Sequence, residues 1–306
     1  MLALQVAYEA EAARLFSEPN LSIAEQRRRN DDLFSRATAG GPAMFKVEDR
    51  WLSVLGRHVR CRLNIPTGQE LLPVLVYFHG GGWVFSSVDT HDRIARDYAF
   101  RSGVAVVSVD YALSPEAKFP RALEECAAVV ESLAILAVSW GFDGSRIVVG
   151  GDSAGANLAL TTALLLRERR GPKLRGVLAV YPVCDADFET PSYREFGAGF
   201  SRLTTQRMQF YWDCYAPTEI DRLHPLAAPL RADLSGLPPV LLQVAELDVL
   251  RSEGEALGER LVKAGVSVEQ QLFNGLIHGF LRVTGSVSAA ERSVKNTCRW
   301  LKDTLA

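Results

Sequence analysis

From about residue 45 onward the chain alternates short apolar runs, rich in β-branched residues, with longer stretches whose apolar positions recur at helical spacing. This alternation constrains the fold more than any other feature. The runs are FKVEDRWLSV, HVRCRLNI, PVLVYFH, VAVVSVD, RIVVGGD, GVLAVYP, VLLQVAE and VSVEQQLF, which predict about eight strands. The later ones are apolar almost throughout, as strands covered on both faces of a parallel sheet must be. Helix-like stretches at 121–138, 155–169, 251–264 and 287–303 separate them. Strands alternating with helices predict an α/β fold, a mostly parallel sheet flanked by helices. The first strands follow one another closely and are expected to form antiparallel hairpins at one edge.

Two segments stand outside this rhythm. Residues 3–17 repeat apolar positions at helical spacing, and Ser22 with Glu25 has the form of a capping box opening a second helix that ends before Gly40-Gly41-Pro42. Its EQRRRNDD cluster at 25–32 mixes both signs and reads as a solvated helix face. Residues 185–223 carry Phe188, Tyr193, Phe196, Phe200, Phe210, Tyr211, Trp212 and Tyr215 where a short connection would suffice, and an insertion of that length usually serves a site, for instance as a lid. The chain thus divides into N-terminal helices over 1–42, a core over 43–184 and 224–306, and an insertion over 185–223.

The first chemical signal is Gly151-Asp152-Ser153-Ala154-Gly155, which follows the strand RIVVG and opens the helix ANLALTTALLL. G-x-S-x-G alone is weak, but between a buried strand and a helix it reads as a nucleophile elbow, a sharp turn that strains the serine and leaves no room for neighbouring side chains. Gly151 and Gly155 then have a steric reason to be there. The second signal is His79-Gly80-Gly81-Gly82-Trp83, directly after PVLVYF. Consecutive glycines bare backbone amides that can converge on an oxyanion, together with the amide after the nucleophile. Gly81, Gly82 and Ala154 are the expected donors. His79 precedes Gly80 at a strand end, where a side-chain bond holding the loop is its expected role.

A serine hydroxyl needs a histidine to take its proton and an acid to orient that histidine. Of five histidines only His224 and His278 follow Ser153, as the chain order serine, acid, histidine requires. His224 beside Pro225 reads as a surface residue, and His278, after the last strand, is the candidate base. VLLQVA ends in Glu246-Leu247-Asp248, at a sheet edge where a site should form. Asp248 lies further past the strand and has the shorter side chain, with Glu246 as the alternative. Trp83 and Phe85, beside the glycine loop, either line an acyl pocket or belong to the core.

Composition narrows the partners. Lys and Arg number 34 against 36 Asp and Glu, a net charge of −2, so no global field draws in nucleic acid. Five cysteines, odd in number and without a C-x-x-C pair, indicate neither a disulfide framework nor a metal site. No apolar run approaches the roughly 18 residues of a membrane span, and the N-terminus lacks the basic flank of a signal peptide. A cytoplasmic protein needing no cofactor is expected.

The chain resembles the hormone-sensitive-lipase family of esterases, in its bacterial acetyl-esterase-like branch carrying GDSAG. The resemblance rests on HGGGW at 79–83, DYALSPEAKFPRALEEC at 110–126, GDSAG at 151–155, LSGLPPVLLQVAELDVLRSEGEAL at 234–257 and IHGF at 277–280. It implies an α/β-hydrolase core, a helical cap built from the N-terminal helices and the 185–223 insertion, a Ser153, Asp248 and His278 triad, and a small ester as substrate. A homodimer is among the assemblies the resemblance allows. The chain departs from the family at Tyr111-Ala112-Leu113-Ser114-Pro115-Glu116, which often has arginine at the second position, and at Asp248-Val249-Leu250, which often has proline at the second. Short acyl chains, acetyl to butyryl, are the expected substrates. Two alternatives use the same fold: a non-catalytic small-molecule receptor, which would lack the catalytic histidine, and an amidase or peptidase, since a triad does not specify its leaving group.

Overall fold

The apolar runs become eight strands, β1 (Lys46–Val54), β2 (Arg57–Ile65), β3 (Leu72–Phe78), β4 (Ala105–Val109), β5 (Phe142–Asp152), β6 (Gly176–Val180), β7 (Val240–Leu247) and β8 (Val268–Ile277). They come from a computed structural model that describes residues 21–199 and 203–306. The helix expected over 3–17 and Phe200 of the insertion lie outside the described residues. The strands join in one sheet of order β1-β2-β4-β3-β5-β6-β7-β8. β1 and β2 form an antiparallel hairpin, β2 runs antiparallel to β4, and every other pairing is parallel.

The expectation of hairpins among the first strands holds only for β1 and β2. β3 instead enters the sheet interior between β4 and β5, parallel to both. Its composition explains this: Val74, Leu75, Val76, Tyr77 and Phe78 are buried in succession, so both faces need cover, which an edge cannot supply. A parallel step from β3 to β4 demands a crossover, and a helix overlooked in the sequence supplies it, α2 (Asp92–Ser102), following α1 (Ile23–Ala37). The charges of DRIARDYAFRS mask its apolar face. They pair with one another along the helix, Arg93 to Asp97 and Arg96 to Asp92, while Ile94, Ala95, Tyr98 and Ala99 pack inward.

Strand alternation divides the core between the two sheet faces. Val74, Val76 and Phe78 of β3 face one cluster, shared with α3 (Arg121–Leu136), α4 (Ala154–Glu168) and, through Leu257 and Leu261, α8 (Arg251–Lys263). Leu75 and Tyr77 face the other, shared with α2 and, through Val294, Cys298 and Leu301, α9 (Ser288–Leu305). The carboxyl ends of β3, β5, β7 and β8 converge on one edge of the sheet, where an open α/β sheet places its ligands.

Over this edge lie α1 and the 185–223 segment, which contains α5 (Pro191–Phe196), α6 (Thr205–Tyr215) and α7 (Glu219–Arg222). Ser22 caps α1 by accepting the Glu25 amide. The EQRRRNDD cluster is not simply a solvated face. Arg27 turns inward, donating to the carbonyls of Val84 and Ser114 at 2.7 Å each and making a fork with Glu116, and Asn30 is buried. Arg27 therefore grips the Tyr111–Glu116 stretch that departs from the family pattern. The other departure is pinned as well, because the Val249 carbonyl accepts the Ser192 hydroxyl at 2.6 Å.

Replacing Arg27 by alanine is expected to lower stability by about 1–2 kcal/mol, the value of a few hydrogen bonds to one partly exposed charge. Urea unfolding would show an earlier midpoint at unchanged slope. An unmoved midpoint would mean that this side chain does not hold α1 to the core.

Candidate active site

Ser153 occupies the single residue between β5 and α4, with φ +56° and ψ −122°. A side chain in that region costs on the order of 1–3 kcal/mol, so its surroundings must impose it. They do so from both sides. The Ser153 amide donates to the Val180 carbonyl at 2.9 Å, and its carbonyl accepts the Asn157 amide at 3.1 Å. Behind it, a Cβ on Gly155 would stand inside the carbonyl oxygens of Phe78 and His79, so α4 approaches the end of β3 as closely as only glycine permits.

The ends of β7 and β8 bring Asp248 and His278 to this serine. His278 Nε2 stands 3.0 Å from Ser153 Oγ, and its Nδ1 stands 2.7 Å from Asp248 Oδ2. Asp248 is buried, and its Oδ1 accepts the Leu250 amide at 3.1 Å, which fixes the carboxylate plane. A carboxylate on Nδ1 requires the proton there, leaving Nε2 free to accept from the serine. Glu246 does not reach the histidine. It accepts the Gly275 amide at 2.6 Å and so braces β8 just before His278. His224 is exposed, its Nδ1 accepting the Leu226 amide.

The glycine loop forms the opposite wall. Among the described residues, the amides of Gly81 and Gly82 donate to no protein acceptor, while Ala154 begins α4, where a helix leaves its first amides unpaired. Gly82 has φ +63°, and a Cβ on it would enter the Tyr211 ring. His79 turns away from the serine: its Nδ1 donates to the Gly80 carbonyl at 2.9 Å, and its ring stacks on Tyr111 at 4.4 Å. Burial, helped by the neighbouring His91, pushes its pKa down to about 3.

Asp152, within GDSAG, occupies the variable second position of its motif, which singles out no role for it. Its carboxylate is buried and accepts Tyr77 Oη at 2.8 Å, the Gly80 amide at 3.0 Å and Tyr181 Oη at 3.3 Å, with His91 Nε2 at 3.4 Å. Burial alone would raise its pKa, but the His91 imidazole and the Tyr77 hydroxyl, with the Arg282 charge beyond them, hold it well below the usual carboxylate range. An acid in a turn walled by a buried strand and helix is largely withdrawn from solvent and must find partners within the protein, and that was the available signal.

Above Ser153 opens a cavity of about 450 Å³. Gly81, Gly82 and His278 line it, as do Phe34 of α1 and Leu203 and Tyr211 of the 185–223 segment. Phe85 lines it too. Trp83 does not: it is fully buried, stacked on Tyr215 at 4.2 Å and edge-on to Trp212 at 5.1 Å, and belongs to the core. Among the described residues, no group of three His, Cys, Asp or Glu side chains is placed to hold a metal ion, and no helix is long and apolar enough to cross a membrane.

Residues 75–282 match a family model described as alpha/beta hydrolase fold. The carboxylesterase NlhH of Mycobacterium tuberculosis is 38% identical over 244 residues, which cover 78% of this chain and 76% of that one. An ethyl acetate hydrolase of Pseudomonas putida is 35% identical over 72% of this chain and 70% of its own. Among solved structures, a hyperthermophilic esterase from the archaeon Pyrobaculum calidifontis superimposes with a TM-score of 0.92 at 35% identity, across 98% of this chain and 97% of that one.

The buried His79 generates a pH prediction. The unfolded chain protonates this histidine near its ordinary value of about 6.5, whereas the folded protein keeps it neutral to a far lower pH. In between, the unfolded state binds the extra proton, so stability falls as pH falls, by about 1.4 kcal/mol per unit. By pH 5 this group should have cost about 2 kcal/mol relative to pH 7. His79→Asn, whose amide can still reach the Gly80 carbonyl, should flatten that slope in chemical denaturation. Equal slopes in the two proteins would refute a neutral buried His79.

Proposed function

The chain belongs to the α/β-hydrolase family, in its hormone-sensitive-lipase branch of esterases, and from that membership we propose that it is a serine carboxylesterase acting on small acyl esters. The observation that carries the reading is the chain Asp248–His278–Ser153, at 2.7 and 3.0 Å, facing a cavity walled by bare glycine amides. In this mechanism His278 Nε2 takes the Ser153 proton as Oγ attacks the ester carbonyl, and Asp248 stabilises the imidazolium that forms. The Gly81, Gly82 and Ala154 amides receive the oxyanion. The imidazolium then returns its proton to the leaving alcohol, giving an acyl-enzyme at Ser153. A water deprotonated by the same His278 releases the acid and restores the serine.

Acyl size follows from the walls. Phe85, Phe34, Tyr211 and Leu203 enclose the space beside the serine, which supports acetyl to butyryl groups over long lipids. In the same proposal α1 and the 185–223 segment act as a cap, since both lend residues to that cavity. The five cysteines are free and buried, in keeping with work in the reducing cytoplasm. A receptor would need no such oriented base, and the complete triad favours turnover over binding alone.

The test is a series of p-nitrophenyl esters from acetate to palmitate. Acetate to butyrate should turn over fastest, with the rate falling by octanoate. Ser153→Ala should lower kcat by about 10⁶-fold, and Asp248→Asn by about 10⁴-fold, since it presents the wrong tautomer. Absence of turnover at every chain length would overturn the esterase reading and leave the receptor or an amide substrate.

A further inference from the structure

The polar side chains of the cavity are not evenly signed. Among the described residues it is lined, besides Ser153 and His278, by three charged groups, Asp152, Arg207 and Arg282. The Asp152 carboxylate is already occupied by two tyrosine hydroxyls, the Gly80 amide and His91. The two arginines differ. Arg207 of α6 donates its Nε to Tyr211 Oη at 3.1 Å and lies over the rings of Phe85, Phe210 and Tyr211 at 4.9, 5.2 and 5.1 Å. Arg282, four residues beyond His278, lies over the Phe34 ring at 3.7 Å. Among the described residues neither forms an ion pair with a carboxylate, although Asp152 feels the Arg282 charge at longer range. In a protein of net charge −2, whose other arginines are so often paired, this leaves a locally positive wall beside the serine.

Aromatic faces hold a guanidinium in place without consuming its donors, and a planar fork held at the rim of a half-enclosed space is matched to a carboxylate. We infer that Arg207 and Arg282 bind an anionic group of the substrate, so that the preferred esters carry a carboxylate in addition to the bond that is cleaved. The inference rests on the esterase reading and specifies its substrate class. Arg207 and Arg282 act as specificity determinants, one carried by α6 of the segment that covers the cavity and one by the loop that follows His278.

Matched pairs of esters test this: 4-acetoxybenzoate against its methyl ester, and mono-p-nitrophenyl succinate against p-nitrophenyl butyrate. The pairs place the carboxylate on the alcohol side and the acyl side in turn. With each kcat/KM divided by the ester's own hydroxide-catalysed rate, the anionic member of at least one pair should be preferred by about tenfold or more, the range of a charge-assisted contact. Arg207→Gln and Arg282→Gln should each lower that anionic-to-neutral ratio about tenfold, mainly through KM, and the lysine variants should restore part of it. In the wild-type enzyme alone, raising ionic strength from about 0.01 to about 0.5 M should erode the preference, which keeps the test independent of how the variants fold. Neutral esters turning over with no anionic preference in either pair, or a ratio unmoved by both glutamine variants, would overturn the inference while leaving the esterase reading intact. No turnover of either member would instead strike the esterase reading itself.

Discussion

The site depends on one buried carboxylate. Asp152 ends β5 immediately before the serine, yet its partners come from other parts of the chain: Tyr77 of β3, the Gly80 amide of the glycine loop, His91 ahead of α2 and Tyr181 after β6. It therefore ties the loop that presents the bare amides to the turn that presents Ser153. These parts must agree closely, since a displacement of about 1 Å between attacking atom and oxyanion donors can cost on the order of a hundredfold in rate. A neutral side chain in this place would leave the Gly80 amide or a tyrosine hydroxyl without an acceptor where little water reaches them. The anion is tolerable there only because hydrogen bonds and the nearby imidazole replace its water.

The strain at Ser153 belongs to the same arrangement. Its positive φ turns the hydroxyl away from the sheet and toward His278, and what holds it is packing on both sides of the residue. α4 is buried along nearly its whole length, from Ala154 to Leu166, and behind it Gly155 sits against the Phe78 and His79 carbonyls. Apolar burial of a full helix, at about 25 cal/mol per Å², readily exceeds the strain of a single residue. The carbonyls of Phe78, which ends β3, and of His79, which opens the glycine loop, thus meet the helix where strand and loop join.

Much of this was legible in the sequence because it was written in extreme residue choices. Glycines flanking a serine between a strand and a helix, or standing three in a row after one, have few explanations, and His278 was reached by elimination. The eight strands were legible for the same reason, being apolar runs with clear ends. What was not legible depended on partners distant in the chain. α2 was hidden because its polar face is densely charged. The interior position of β3 follows from burial on both faces, which a single run of six residues does not distinguish from an edge strand in a short hairpin. Arg27 looked like one charge in a solvated cluster until Val84, Ser114 and Glu116 came near it, and Asp152 looked like the variable letter of a motif. Trp83 stood beside the glycine loop in sequence but points into the aromatic stack beneath it.

The covering segments show the same division between pattern and partner. Nothing in the sequence of α1 says that Phe34 will lie beneath Arg282, or that α6 will stack Arg207 on aromatic rings. Both contacts are made by side chains whose aliphatic stems and rings bury well while their charges remain at a cavity edge. Such contacts fasten the cover to the core without filling the space between them, as a purely apolar seam would tend to do. The cavity over Ser153 thus remains open because the groups that close its rim are long, flat and charged. The positive wall this leaves beside Ser153 is a consequence of how the covering segments are attached, since the guanidinium groups that fasten them, Arg207 on Phe85 and Arg282 on Phe34, are also groups that line the cavity.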